Sequence, residues 1–290
     1  LSLSVCMIMK NEEKFLARCL NSVKGVADEI VIVDTGSSDR SVDIARGFTD
    51  RIFHMAWMDD FSGPRNSSIS HASGDWIFVI DPDEVFSAKD LPLLKKCMEH
   101  PVTVAYQVDT RNYTNASQLL GWELNDGRYP EGARWRGFVA SAKVRLFKNG
   151  LGLKFRGIVH EMVDYEVEER KLPGDKAAFS IVHFMEDTTQ WGLHRKRQFH
   201  LRLCERKVEL DRSDGQAWWE LGIAQYLLGL YAQAIFSVKR GLELGIKKPD
   251  RYFTLGMIYK AMGRWDIGHY WYEKGICLTF PDLTHRERVK

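Results

Sequence analysis

The 290-residue chain has no C-x-x-C pair, and its five cysteines (Cys6, Cys19, Cys97, Cys204, Cys277) are scattered and odd in number. This spacing supports neither a disulfide framework nor a structural zinc site, and it suits a reducing, cytoplasmic setting. No apolar run approaches the ~20 residues of a membrane span. The apolar opening Leu1–Met9 lacks the basic flank and cleavage site of a signal peptide and reads as a buried strand. Neither charge sign dominates: 41 Lys and Arg against 39 Asp and Glu leave +2, so no overall field favours nucleic acid. A G-x-G-x-x-G after the first apolar run is missing, which argues against a dinucleotide-binding domain. With 44% hydrophobic and 28% charged residues, disorder is excluded. The length allows two domains.

The first ~90 residues alternate strand and helix signals. Val5–Met9, Glu29–Val33, Arg51–His54 and Trp76–Ile80 read as strands; Glu12–Val23, Arg40–Phe48 and Asn66–Ala72 read as helices. Continuous apolar strands separated by helices predict a parallel sheet covered on both faces. Ligands then sit beyond the carboxyl ends of the strands, where Asp34 and Asp81 fall. The middle (101–185) carries strand-like pieces between irregular stretches rich in Trp, Tyr, Arg and Gly. Helical spacing begins near Thr188.

This last third repeats itself. Leu221-Gly222 recurs as Leu255-Gly256, Gly229 as Gly263, Tyr231 as Trp265 and Gly241 as Gly275, always 34 residues apart, the period of tetratricopeptide repeats. Gln225 and Gly268 depart from that pattern. The expected division is therefore 1–187 for the α/β domain and 188–290 for a helical domain with repeats at about 215–248 and 249–282.

Chemistry concentrates in a few places. Asp81-Pro82-Asp83-Glu84 follows a buried strand, and paired carboxylates there suit Mg²⁺ or Mn²⁺ beside a diphosphate. Asp34 closes the second strand and can accept from a nucleobase or ribose, while Gly36 lets backbone approach a ligand. Ordinary structural roles compete: Asp83 or Ser87 could cap the helix near Ala88, and Asp34 its own turn. Tyr113, Trp122, Tyr129, Trp135 and Phe138, among Arg111, Arg128, Arg134 and Arg136, suggest a sugar-stacking acceptor region or a local core. The basic stretch His194–Lys207 suits an anionic membrane surface or a solvated helix face.

The segments SVCMIMKNEEKFLARCLNSVKGVADEIVIVDTGSSDRSVDIA and GPRNSSISHASGDWIFVIDPDE, with RLFKN (Arg145–Asn149) and GIVHE (Gly157–Glu161), resemble inverting family 2 glycosyltransferases of the GT-A fold. The similarity is greatest to the bacterial branch of lipopolysaccharide-core glycosyltransferases and sublancin-type peptide S-glycosyltransferases. The resemblance implies a Rossmann-like mixed α/β sheet followed by the all-α repeats. It implies that Lys10, Asn11, Glu12 and Asp34 line a nucleotide pocket and that Arg65, paired with Asn66, holds it near the diphosphate. Asp81 would meet ribose or metal, Asp83 would bind Mn²⁺ or Mg²⁺, and His183 would be a third metal ligand, against the ordinary reading of a lone strand histidine as a structural one. Thr35 stands where many relatives carry a second acid, and Pro82 where alanine is usual.

An inverting transfer needs a base beside the acceptor. Either Glu161 takes the proton with His160 binding acceptor or metal, or His160 is the base and Glu161 orients it. The expected activity is metal-dependent transfer from a nucleoside-diphosphate sugar, UDP first, to a glycan, lipid-linked glycan or peptide. The repeats would contact a protein partner or a second copy. The expected location is cytoplasmic, at the inner face of the membrane if the basic stretch docks there, with no nucleic-acid partner. Two alternatives stand: a sugar nucleotidyltransferase, disfavoured by the missing glycine-rich phosphate loop, and a non-catalytic repeat scaffold.

Overall fold

Alternation of side chains along each strand decides how the first domain packs. In β1 (Leu3–Met9), Leu3, Val5, Met7 and Met9 enter one core layer while Cys6 enters the opposite one. β2 (Glu29–Asp34) splits the same way, with Ile30 and Ile32 against Val31. Both faces are thus covered, which is why Val5–Met9 and Ile30–Val33 are apolar without interruption. The computed structural model describes residues 1–119, 121–185, 190–245 and 247–281, without the side chains of 190–192. It divides into two compact units, Leu1–Asp187 and Thr188–Lys290. The residues around that division, 186–189, lie outside the described ones, as do Ile246 and 282–290 within the expected repeats.

The first unit continues through α1 (Leu16–Val23), α2 (Ser41–Arg46), β3 (Ile52–His54), α3 (Ser62–Ser70), β4 (Trp76–Val79), β5 (Glu84–Phe86) and α4 (Leu91–Glu99). β6 (Ala105–Thr114), β7 (Trp122–Leu124), β8 (Gly137–Lys148), α5 (Asp164–Glu169) and β9 (Gly174–Phe184) complete it. The sheet runs β3-β2-β1-β4-β8-β6-β9-β5, with β7 beside β8. β3, β2, β1 and β4 are parallel. β8 joins antiparallel to β4 and β6, so the sheet is mixed and only its first half is the parallel sheet that the alternation predicts.

α1 starts at Leu16 and not at Glu12, because the preceding backbone is used elsewhere. Asn11 has φ +56°, and the N–H groups of Asn11, Glu12 and Glu13 donate to the side chains of Ser37, Ser41 and Asp39. Beneath the turn after β4, Phe78, Phe86 and Phe179 meet edge to face at 5.8, 6.2 and 5.7 Å. Contacts of this kind each add ~0.5–1.5 kcal/mol beyond burial, and they tie β5 and β9 to β4.

The second unit is helical: α6 (Gln190–Leu210), α7 (Gly215–Leu227), α8 (Tyr231–Glu243), α9 (Pro249–Ala261) and α10 (Trp265–Thr279). Its repeated glycines mark close helix approaches. A Cβ on Gly222 would lie 2.5 Å from Val238 Cγ2, and one on Gly256 would lie 2.9 Å from the Tyr272 ring. Asp214 caps α7 by accepting from the Gln216 and Ala217 N–H groups, and Pro249 occupies the first turn of α9. Gln225, which departs from the repeat pattern, is buried and accepts a hydrogen bond from Ser237 Oγ at 2.8 Å. Among the described residues no helix is long and apolar enough to cross a membrane. In α6, His194, Arg195, Lys196, Arg202 and Arg206 are exposed, whereas Leu203, Cys204 and Val208 are buried.

Candidate active site

The carboxyl ends of the parallel strands carry two adjacent acidic turns. Met9 pairs with Asp34 across β1 and β2, and Cys6 pairs with Val79 across β1 and β4, so Asp34 and Asp81 end up on one sheet edge. Two strand spacings separate them, about 10 Å.

Asp34 is buried and shapes its own turn: its carboxylate accepts from the Gly36 N–H at 3.2 Å and the Ser37 N–H at 3.1 Å, and approaches His54 Nδ1 at 3.3 Å. The capping role is therefore present, and any contact of Asp34 with a nucleoside adds to it. Gly36 has φ +99° and open space where a side chain would be, so the turn backbone can lie against a ligand. Asn11 Oδ1 accepts from the Ser38 N–H at 2.8 Å, which stitches the loop after β1 to the turn after β2. Lys10 and Asn11 are exposed beside that seam and Glu12 is half-buried.

Asp81 is held by two arginines. Arg65 Nη2 donates to Oδ1 at 2.6 Å, and Arg145 Nη1 to Oδ2 at 3.2 Å. Burial by itself would raise the Asp81 pKa; the two guanidinium groups outweigh it and hold the carboxyl far below its ordinary range. Asp81 is thus an anchor for the turn, with each oxygen holding one guanidinium. Arg145 Nη2 also donates to Glu84 at 2.8 Å, and Glu84 accepts from the Asp81 N–H at 2.8 Å. Burial pushes the Glu84 carboxyl up to about 7 despite Arg145. Arg65 Nε and Nη1 and Arg145 Nε are buried without a hydrogen-bond partner. Both arginines line a cavity of about 20 Å³ with Glu161 and Lys143, room for one water.

Asp83, one residue past the proline, is half-exposed, and its Oδ2 lies 3.3 Å from His183 Nε2. Glu84 opposite His183 in the β5–β9 register brings them together. The Asp83 carboxylate suits Mn²⁺ or Mg²⁺, and the His183 imidazole beside it suits the less hard Mn²⁺ better than the oxygen-demanding Mg²⁺. No three His, Cys, Asp or Glu side chains converge among the described residues to hold a metal alone.

The Gly157–Glu161 segment forms a tight loop, closed by reciprocal bonds between Arg156 and Met162 at 3.0 and 3.1 Å. Asn66 clamps its base: its amide donates to the Phe155 carbonyl at 2.9 Å and accepts from the Phe155 N–H at 2.7 Å. Glu161 turns inward and accepts from Arg65 Nη2 at 3.1 Å, so one guanidinium joins it to Asp81. His160, at φ +53°, is on the exposed side of the loop.

Three of the five aromatics expected to stack on an acceptor are core instead. Tyr113, Tyr129 and Phe138 are buried with Val85, Val182 and Phe184. Arg111 lies 4.4 Å over the Phe138 ring and pairs with Asp126 at 2.7 and 2.9 Å. Trp122 and Trp135 are partly exposed.

The sequence signature of Glycosyl transferase family 2 matches residues 4–148, half of the chain, and spans both acidic turns, Arg65 and Arg145. The chain belongs to glycosyl transferase family 2. It is 26% identical over 241 residues to the SPbeta prophage-derived glycosyltransferase SunS of Bacillus subtilis strain 168, which covers 82% of this chain and 52% of that protein. It is 36% identical over 161 residues to a TPR repeat-containing protein of Synechococcus elongatus, covering 56% of this chain and 35% of that protein. The chain therefore spans about half of one relative's length and about a third of the other's. The structure of S. aureus TarS 1-349 aligns over 98% of this chain and 93% of that chain, with TM-score 0.46 and 10% identity.

The family 2 domain also uses residues that pattern reading passed over as site residues. Arg145 and Glu84 carry charge within otherwise apolar strands, VRLF and EVF, which is itself a signal of a buried ion pair. His54 gave no such signal; only the β2–β3 register, with Asp34 opposite His54, brings it to the turn.

Proposed function

We propose that this chain transfers a glycosyl unit from a nucleoside-diphosphate sugar, UDP first, to a glycan, lipid-linked glycan or peptide acceptor, with inversion and with a bound Mn²⁺ or Mg²⁺. One observation carries the reading: in a family 2 domain, two buried arginines fix the Asp81-Pro82-Asp83 turn so that Asp83 stands open beside His183. The stitched loops at Lys10–Glu12 and Asp34–Ser38 offer the nucleoside a backbone-lined bed. Asp83 and His183 would hold the cation, which supplies Lewis-acid stabilisation of the diphosphate when bound. The acceptor oxygen or sulfur forms its bond to the anomeric carbon as the bond to the diphosphate breaks. Glu161 takes the acceptor proton, its position set by Arg65 and the clamped loop. His160, on the exposed side, contacts the acceptor. The repeats contact protein, and the exposed cations of α6 meet an anionic membrane surface at the cytoplasmic face.

The test is a panel of UDP-sugars with and without Mn²⁺, read as UDP release and thermal shift, on wild type and Asp83→Ala. Loss of Mn²⁺-dependent UDP binding in the variant is expected. Undiminished binding and turnover in Asp83→Ala would reject the assignment. Pyrophosphate release from UTP and a sugar phosphate would favour a nucleotidyltransferase instead.

A further inference from the structure

Asn112 belongs to none of the groups assigned so far, yet strand register sets it directly behind His183. In β6 it lies opposite Val139 of β8 on one side and His183 of β9 on the other. Its amide nitrogen donates to the Val139 carbonyl at 2.9 Å, the Thr110 carbonyl at 3.2 Å and Ser141 Oγ at 3.2 Å. Carbonyl oxygens only accept, so these neighbours dictate which end of the amide is the NH₂. The amide oxygen is left facing His183 Nδ1 at 2.8 Å. An amide oxygen also only accepts, so Nδ1 must carry the hydrogen. In the neutral ring the lone pair then belongs to Nε2, the nitrogen 3.3 Å from Asp83.

We propose that Asn112 is a positioning residue: it holds the His183 ring in the Nδ1–H form and turns Nε2 toward Asp83 as a ready cation donor. The proposal rests on the reading of Asp83 and His183 as a cation-binding pair. Hydrogen-bond partners of this kind orient metal-binding histidines, and their loss typically weakens metal affinity about 10–100-fold.

The experiment uses the full chain with UDP and follows free Mn²⁺ by electron paramagnetic resonance, in wild type, Asn112→Leu and Asn112→Asp. Nitrogen-15 correlation spectra of the His183 ring, in alkaline buffer without metal, report the tautomer. Melting curves in EDTA check the fold, and Asn112→Ala replaces the leucine variant if that one does not fold. Asn112→Leu is expected to weaken Mn²⁺ binding about 10–100-fold and to switch His183 to the Nε2–H form donating to Asp83. Asn112→Asp keeps an acceptor, so it should retain the Nδ1–H form and near wild-type affinity. A retained Nδ1–H form in the leucine variant, or unchanged affinity where wild type binds, overturns the role of Asn112. Failure of wild type to bind Mn²⁺ overturns the cation reading instead, and the tautomer result still decides what Asn112 does.

Discussion

Replacing Arg65 by methionine keeps the bulk of the side chain and removes its charge. The Arg65 side chain is 5% exposed, and its guanidinium serves two carboxylates, Asp81 at 2.6 Å and Glu161 at 3.1 Å. Breaking a buried pair costs ~3–5 kcal/mol, chiefly because the surviving charge is left buried and unpaired. Asp81 keeps Arg145 at 3.2 Å, so the lower end applies, ~3 kcal/mol. A unit of this size loses about 2–4 °C of melting temperature per kcal/mol, which gives a drop of about 6–12 °C. High salt should change the difference little, because buried pairs are poorly screened. Calorimetry of the single variants and of the Arg65→Met/Asp81→Asn and Arg65→Met/Glu161→Gln doubles resolves the pairwise terms. The Asp81 coupling should exceed the Glu161 coupling, as the shorter distance requires. A variant melting within about 2 °C of wild type, less than the shift expected from 1 kcal/mol, would refute the view that these charges are mutually dependent.

Glu84→Gln tests the buried carboxyl through pH. Its pKa rises from 4.5 to about 7 on folding, so the folded chain keeps a proton there that the unfolded chain releases. Stability should fall as pH rises through that window, by at most about 1.4 kcal/mol per pH unit, and flatten above it. His183, whose pKa is raised despite burial by Asp83 and also by Glu84, adds loss of the same sign above pH 6.5. The melts at pH 5 and 8 are therefore compared in a His183→Asn background, where coincident slopes with and without Glu84→Gln would exclude the buried proton of Glu84. Gly222→Ala should destabilise the helical unit by ~1–3 kcal/mol through overpacking, since the new methyl meets Val238 at 2.5 Å and the Ala234 carbonyl at 3.2 Å. A higher melting temperature by circular dichroism, the outcome of helix propensity alone, would show that α7 and α8 can separate at little cost.

Period and composition were enough to read the parallel half of the sheet, the two acidic strand ends and the 34-residue helical repeat. Each is a local signal: an apolar run, a turn former, or a glycine where two helices touch, as at Gly222 and Gly256. Partnership between distant residues left no such trace. Tyr113 and Phe138 have the composition of a stacking platform, and burial alone makes them core. His160 and Glu161 are adjacent in sequence, yet His160 is exposed while Glu161 is partly buried and accepts from Arg65. Nothing local to Asp81 shows that Arg65 and Arg145, 16 and 64 residues away, both donate to its carboxylate. Sequence determined which segments become strands and helices because backbone preference and apolar period act over a few residues. Which charge meets which was decided only by tertiary structure, because electrostatic pairing depends on distance in space and on the water that folding removes.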